Sequence, residues 1–259
     1  MIASNKVSLY VKAFFITVVF SIISLFMFLQ HAAIIVEDSR LCACDRCVRD
    51  LKDDDWFLKR FNPTIQTMMN KNNRMLKKDV YRWWKGLQPI SSKQAFEDVV
   101  DTLFELFPDE DHYVETNLYR CRTCAVVGNS GNLLKSHYGE LIDNHDFVLR
   151  TYKQVQSTVD ADIDRVMIVH PAFIKYVYDS WAEKHGRYPS TGFLTLILAL
   201  HICDKVDVFG FGAQSNGRWH HYFDKSLNHF SRGMHGGDFE NETMHELLLR
   251  NKICMYKGL

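Results

Sequence analysis

Residues 121–150, CRTCAVVGNSGNLLKSHYGELIDNHDFVLR, constrain the fold more than any other part of the sequence. The short apolar run at residues 125–128 is typical of a buried parallel strand. The small residues at 129–132 predict a turn into a helix, and residues 146–150 predict a second strand. Because strands alternate with helices along the rest of the chain, we predict an α/β fold with a Rossmann-like, mostly parallel sheet flanked by helices.

The turn at residues 129–132 is a candidate anion site. Backbone N–H groups at a helix N-terminus can face an anionic ligand. A turn of this composition is more often an ordinary connection between a strand and a helix, so both interpretations stay open.

Other segments repeat the alternation of strand and helix. Predicted strands cover residues 165–169, 206–212 and 253–257, and predicted helices cover residues 64–85, 92–107, 171–184, 193–203 and 242–251. The helix at 193–203 is apolar on all sides, which indicates burial, and Ser190 is a plausible N-cap before it. In the helix at 64–85, the residues expected on the buried side are Met68, Met69, Met75 and Leu76.

The N-terminal part of the chain predicts a membrane anchor. Residues 13–29 carry no charge, and the apolar run resumes up to residue 36, so the span reaches the roughly 20 residues that cross a bilayer. Lysines precede the span and acidic residues follow it, which places residues 1–12 in the cytosol and the remainder in the lumen. We predict a signal-anchor at residues 13–36 and a short lumenal stem at 37–55, with a cleaved signal peptide as the alternative.

The seven cysteines fit a lumenal location, where disulfides persist. Cys42, Cys44 and Cys47 cluster in the predicted stem. Their spacing also suits zinc, but no matching second half with His or Cys follows, and spacing alone leaves the disulfide connectivity open. The 31 basic and 31 acidic residues balance, so nothing indicates a nucleic-acid partner.

Two stretches of the sequence resemble the animal sialyltransferases. Residues 121–150 resemble the large sialyl motif of that family and residues 169–212 resemble the small one. The resemblance covers about residues 41–259 and is greatest to β-galactoside α-2,3-sialyltransferases acting on Galβ1,3GalNAc. It implies a variant GT-A-like catalytic domain at residues 56–259, CMP-sialic acid as the donor substrate, and neither cofactor nor metal.

The resemblance also implies roles for individual residues. His235 matches the catalytic base, and His221 matches the residue that protonates or hydrogen-bonds the leaving phosphate of the donor. The other implied contacts are those to the donor at Asn129, Ser190, Thr191, Gly192 and Gly212, and those to the acceptor at Gln88 and Tyr188.

Two histidines suit the chemistry of sialyl transfer. The acceptor hydroxyl must lose a proton as the bond forms, and a group whose pKa lies near ambient pH is best for that. The leaving phosphate oxygens gain charge and need a proton or a strong hydrogen bond. Histidines on opposite sides of one carbon supply both roles, with inversion and without a metal. A zinc site and ordinary structural histidines are the alternatives, although HExxH is absent.

Covalent features follow from the resemblance as well. It implies the disulfides Cys42–Cys47, Cys44–Cys121 and Cys124–Cys203, with Cys254 left over. Two separate buried thiols are the alternative for the last pair. The sequon at Asn241 would be available for N-glycosylation in the lumen.

The chain departs from the family between the two motifs. Residues 151–165 replace several dozen residues that normally hold sheet and helix elements, an acceptor-contacting tyrosine and a donor-contacting asparagine, at whose position Tyr152 stands. Two hypotheses follow: an active Galβ1,3GalNAc α-2,3-sialyltransferase of the Golgi membrane, or an inactive sialyltransferase-like lumenal protein. Both hypotheses allow a homo- or heterodimer. Under the second hypothesis, the partner would be an active relative.

Overall fold

The computed structural model describes residues 14–30, 42–50, 54–88, 95–106, 119–150, 166–212 and 234–258 of the 259. The chain divides into two compact units, Met1–Leu41 and Cys42–Leu259. The first unit contains one described helix, α1, at residues 14–30, and its apolar side chains are exposed. Among the described residues, no helix combines the length and the apolarity that crossing a membrane requires.

The second unit alternates between helices and strands. In chain order it contains α2 (Asp55–Leu58), β1 (Met68–Met69), α3 (Lys78–Lys85), α4 (Phe96–Leu106), β2 (Thr123–Val127), α5 (Gly139–Asp143), β3 (Phe147–Arg150), β4 (Ile168–Val169), α6 (Pro171–Tyr176), α7 (Thr191–Ile202), β5 (Lys205–Phe209), α8 (Gly237–Leu249) and β6 (Cys254–Tyr256).

A parallel sheet with the strand order β3-β2-β5-β6 forms the centre of this unit. In its register, Ala125 of β2 lies between Val148 of β3 and Asp207 of β5. The chain leaves β2 to one side for β3 and later returns to its other side for β5. The gap between the carboxyl ends of β2 and β5 is therefore a topological switch point, where open α/β sheets bind ligands.

Burial explains why these segments form this sheet. Helix α7 is apolar on all sides and packs on β2, β3 and β5, and its core-facing residues are almost fully buried. It contacts the sheet face that carries Val126, Val206 and Val208. The opposite face, which includes Ala125 and Phe209, packs on the short helix α5. The predicted α/β fold with a parallel sheet is thus confirmed.

The predicted helix at residues 64–85 is wrong over residues 64–77. Residues 68–69 form β1, which pairs antiparallel with β4, and only the last eight residues form α3. The Asn73 amide donates to the Met68 carbonyl, and its oxygen accepts from the N–H of Asn70. Such side-chain bonds compete with helix formation and favour a turn. Met75, which the helix would have buried, is 72% exposed.

Two further elements differ from their predictions. After the turn at 129–132 the chain makes a 3₁₀ turn at Gly131–Leu133, and α5 begins only at Gly139. Lys135 and His137 adopt φ values of 65° and 55°, which a helix does not allow. The predicted helix at 171–184 consists of α6 followed by a π-helical turn at Val177–Trp181.

Three disulfides form in the unit, one of them local and two between residues far apart in the sequence. They are Cys42–Cys47, Cys44–Cys121 and Cys124–Cys203, the same pairs that the resemblance implies. The last of them ties the start of β2 to the residue after α7. Among the described cysteines, Cys254 is free and exposed.

Candidate functional site

Two turns meet at the switch point between β2 and β5. The Gly128 N–H donates to the Phe209 carbonyl at 2.8 Å, and the Ser130 N–H donates to the Gly210 carbonyl at 2.9 Å. The Ser130 hydroxyl donates to the Gly212 carbonyl at 2.8 Å. These bonds fix the turn after β2 to the turn after β5, so that Asn129 and Gly212 belong to one continuous surface.

Glycines at this surface leave room for the Phe211 ring. A Cβ atom on Gly128 would lie 2.8 Å from Cδ2 of that ring, and one on Gly192 would lie 3.1 Å from Cε1. Any side chain at either position would therefore displace the ring. Because the ring contacts both glycines, it brings the first turn of α7 beside the turn after β2.

Asn132 links the turn after β2 to the turn after β5. Its side chain is 5% exposed, and its amide donates to the Phe211 carbonyl at 3.0 Å. Its oxygen Oδ1 is buried and has no hydrogen-bond partner in the described part of the chain. The expected helix N-terminus is absent here, because α5 starts several residues later. Helix α7 is the helix that begins at this site.

Ser190 caps α7, as its sequence predicted. The Ser190 hydroxyl accepts from the Phe193 N–H at 3.1 Å, which satisfies one free amide of the first turn. Its own N–H donates to Oε1 of Glu240 at 2.7 Å. Glu240 is 8% exposed and lies in α8. Sequence reasoning missed this residue, although a carboxylate five positions after His235 was a visible signal.

His235 lies beside Tyr188, just before α8. Its Nδ1 is 3.1 Å from the Tyr188 carbonyl oxygen, and the two rings meet edge to face at 4.7 Å. Backbone bridging between Gly186 and His235 fixes the two segments to each other. A carbonyl only accepts, so this bond requires the proton on Nδ1 and leaves the lone pair on Nε2. The His235 side chain is exposed, and Nε2 is the atom left to accept a proton.

The turn that carries Gln88 is tied to the same region. Arg187 donates from its guanidinium to the Gly86 carbonyl at 2.9 Å. Trp83 stacks on Tyr178 with 5.4 Å between ring centroids, and Trp84 meets Phe96 edge to face. These contacts place the two tryptophans in packing roles. Gln88 itself is half-buried, at the end of this turn.

Several expected residues lie outside the described part of the chain or stand apart from the site. His221 and Tyr152 lie outside the described residues. Asn241 is exposed on α8, while Thr243 of its sequon is buried. Within the described ranges, no three His, Cys, Asp or Glu side chains are grouped so that they could hold a metal ion.

The sequence matches one protein family over most of its length. The profile described as glycosyltransferase family 29 (sialyltransferase) matches residues 68–155 and 150–252. The two matched pieces meet where the short link at 151–165 begins. The match therefore comes in two pieces, which overlap at residues 150–155.

Similar proteins carry consistent names. The Sus scrofa CMP-N-acetylneuraminate-beta-galactosamide-alpha-2,3-sialyltransferase 1 is 37% identical over 283 residues, covering 85% of this chain and 82% of the relative. The Mus musculus type 2 protein of the same name is 35% identical, covering 85% of this chain and 81% of the relative. An alignment of 283 residues is longer than the 259 of this chain, so it contains gaps on this side.

Solved structures agree with these relatives. A crystal structure of a mammalian sialyltransferase superposes with a TM-score of 0.75 at 36% identity, covering 84% of this chain and 99% of that one. A second, in complex with Gal-beta-1-3GalNAc-ortho-nitrophenol, gives a TM-score of 0.73 at 35% identity, with coverage of 84% and 100%. Sequence, fold and relatives agree that this chain belongs to glycosyltransferase family 29, the sialyltransferases.

Proposed function

We propose that this chain transfers sialic acid from CMP-sialic acid to the galactose 3-hydroxyl of Galβ1,3GalNAc-terminated O-glycoproteins and glycolipids. The observation that carries the proposal is the bond between His235 and the Tyr188 carbonyl, next to the turns at the switch point. The relatives named as α-2,3-sialyltransferases support the linkage. The relative solved with Gal-beta-1-3GalNAc-ortho-nitrophenol supports the acceptor.

The donor occupies the switch point in this proposal. The CMP moiety lies against the turn at Asn129, the start of α7 and Gly212. The contacts at α7 come from Ser190, Thr191 and Gly192. The positive end of the α7 dipole favours the negative phosphate.

His235 acts as the general base. Its Nε2 takes the proton of the acceptor hydroxyl while that oxygen attacks the anomeric carbon of sialic acid, whose bond to phosphate breaks. The Tyr188 carbonyl stabilises the imidazolium that results, because it accepts a bond from Nδ1–H. His221 protonates or hydrogen-bonds the departing phosphate. Attack and departure on opposite faces invert the anomeric centre, with no metal involved.

The acceptor lies between Gln88 and Tyr188. The guanidinium bond from Arg187 to Gly86 supports this assignment, since it holds the Gln88 turn near the segment of Tyr188.

We further propose a Golgi location and a single-pass type II topology. The uncharged run at residues 13–29, with lysines before it and acidic residues after it, supports a signal-anchor at 13–36. The three disulfides in the second unit support lumenal residues 37–55 and 56–259. The variant GT-A-like assignment of the domain, N-glycosylation of Asn241 and homo- or heterodimer formation belong to the same proposal.

A second candidate function is that of a catalytically inactive, sialyltransferase-like lumenal protein. The observation that favours it is the match to the family in two pieces, with gaps in this chain. The lost segment normally carries a donor and an acceptor contact.

Transfer of labelled sialic acid from CMP-sialic acid to free Galβ1,3GalNAc distinguishes the two candidates. We expect transfer by the full chain in detergent, at the same rate with EDTA, and complete release of the label by an α-2,3-specific sialidase. No transfer from a monomeric, protease-resistant protein would establish the inactive protein instead. Transfer that stops with EDTA would contradict the metal-free mechanism alone.

A further inference from the structure

Helix α3 presents three cations on one side. Lys78, Arg82 and Lys85 recur at i, i+4 and i+7, so they lie within an arc of about 60° around the helix axis. All three are exposed. The opposite side of the helix carries Val80, which is buried, and Trp84, whose ring packs on Phe96. We name Lys78, Arg82 and Lys85 the α3 basic stripe.

The charge of this region contrasts with the rest of the chain. The whole sequence has equal numbers of basic and acidic residues, whereas residues 71–85 contain six Lys and Arg against Asp79 alone. Arg74 pairs with Asp101. Within the described ranges no ion pair neutralises the α3 basic stripe, and the Lys85 ammonium lies only over the Tyr81 ring, at 5.6 Å.

Like charges at i, i+3 and i+4 repel one another and weaken a helix. Here the repulsion is tolerated because the other side of α3 is fixed by packing. The result is a local positive potential that attracts anions.

The stripe lies next to the proposed acceptor site. Helix α3 runs directly into the turn of Gln88, and Arg187 bonds the Gly86 carbonyl of that turn. Trp83 of the same helix stacks on Tyr178. These contacts fix the orientation of α3 relative to the segment that carries Tyr188. A polypeptide that extends from an acceptor glycan at this site would pass near the stripe.

We propose that the α3 basic stripe binds carboxylates of the polypeptide that carries the acceptor glycan, so that the enzyme prefers O-glycans on acidic segments. This inference rests on the proposed function. Lys78 and Lys85 are seven residues apart, which is about 10 Å along a helix. In a peptide with the polyproline II conformation, carboxylates three residues apart lie on the same side and are about 9 Å apart. The fit predicts a preference for acidic residues at that spacing.

A lipid surface fits these observations less well than a peptide does. A helix that lies on a membrane inserts an apolar face between the headgroups while its cations contact the lipid phosphates. The apolar face of α3 is already packed against the protein through Val80 and Trp84.

Two glycopeptides with the same Galβ1,3GalNAc-threonine test the preference, one with two aspartates three residues apart and one with asparagines instead. Free disaccharide is the reference acceptor. We expect KM for the acidic glycopeptide to be about five-fold below that for the neutral one, from two partly screened surface pairs. The preference should vanish at about 0.5 M salt.

Matched variants assign the preference to the stripe. Lys78→Gln/Lys85→Gln should abolish it, whereas Lys59→Gln/Lys205→Gln should retain it. This control variant removes the same charge from two other exposed lysines, one directly after α2 and one at the start of β5. Circular dichroism of each variant verifies that its overall helix content is unchanged. Equal KM values for both glycopeptides, or a preference that survives in the stripe variant, would overturn the inference.

Anisotropy of labelled glycopeptides separates this inference from the proposed function. Stripe-dependent binding of the acidic glycopeptide, without transfer even to free disaccharide, supports the surface and refutes the activity. Transfer to the disaccharide with no effect of peptide charge on binding or KM refutes the inference alone. Stripe-dependent binding to phosphatidylserine vesicles, with no preference between glycopeptides, would replace the peptide with a lipid surface.

Discussion

Glu240 connects the start of α7 to the segment of His235 through one hydrogen bond. Its carboxylate accepts from the N–H of Ser190, which caps α7 on the donor side. Glu240 itself lies in the first turn of α8, the helix that follows His235. A charged acceptor on a backbone amide makes a short, strong bond. Glu240 is therefore a positioning residue, which holds the base segment against the donor loop.

Replacing Glu240 tests this link. Glu240→Ala leaves the partly buried N–H of Ser190 without its carboxylate partner, so we expect the free energy of unfolding to fall by about 1–2 kcal/mol. Because the cap of α7 also shifts, KM for CMP-sialic acid should rise. Urea unfolding and donor-dependent initial rates measure the two effects.

Two further variants control this experiment. Glu240→Gln keeps an oxygen acceptor and should recover most of the donor affinity. Glu242→Ala removes an exposed carboxylate from the same helix, retains the Asn241 sequon and should change neither quantity. A donor KM that stays at the wild-type value in Glu240→Ala would refute the positioning role.

Elements with a strong periodic pattern were predictable from the sequence. Strand β2 is a run of apolar residues with a glycine after it, and α7 is apolar on all sides, so burial of both follows directly. The site at the carboxyl ends of the strands follows from the same alternation. The Ser190 cap was visible because a serine directly precedes the apolar run.

Elements governed by local polar bonds were not predictable. Residues 64–77 were predicted to be helical but form β1 and a turn instead. The reason is that Asn70 and Asn73 make hydrogen bonds with the backbone there. The pairing of β1 with β4 joins residues about a hundred positions apart, which no local pattern encodes. The bond from Glu240 to Ser190 is likewise a long-range contact.

Helix α7 carries a histidine whose protonation opposes folding. The His201 ring packs on Phe61 and Phe173, and its Nδ1 bonds the Ile197 carbonyl. Burial lowers the pKa of His201 from 6.5 to about 4. The unfolded chain therefore takes up this proton at a higher pH than the folded one. The stability that neutral His201 contributes is complete above pH 6.5 and is lost as the pH falls towards 4.

This linkage gives a pH prediction. From pH 7 to pH 5, His201 should lower the free energy of unfolding by at most about 2 kcal/mol, since some solvent reaches the ring. His201→Phe keeps an aromatic ring in the core and should remove that part of the pH dependence. Urea midpoints at both pH values measure it, with exposed His245→Gln as the control. An identical pH dependence in wild type and His201→Phe would contradict the lowered pKa.

The whole molecule retains the family's centre while lacking a piece of its chain. The superposition on a mammalian sialyltransferase gives a TM-score of 0.75, although the sequence match falls into two parts. The β2–β5 switch point, α7 and the His235 segment all lie in the retained parts. Of the described strands, β3 forms one edge of the sheet, and Val148 in it is 38% exposed.

The central claim is that the retained parts suffice to assemble a transfer site with His235 as its base. The most direct test is the initial rate of sialyl transfer to Galβ1,3GalNAc by wild type and His235→Asn, with the Kd for CMP measured on both. We predict a rate loss of about 10²- to 10⁴-fold in the variant with an unchanged Kd, because only the proton transfer is removed. Equal rates in the two proteins would contradict the account.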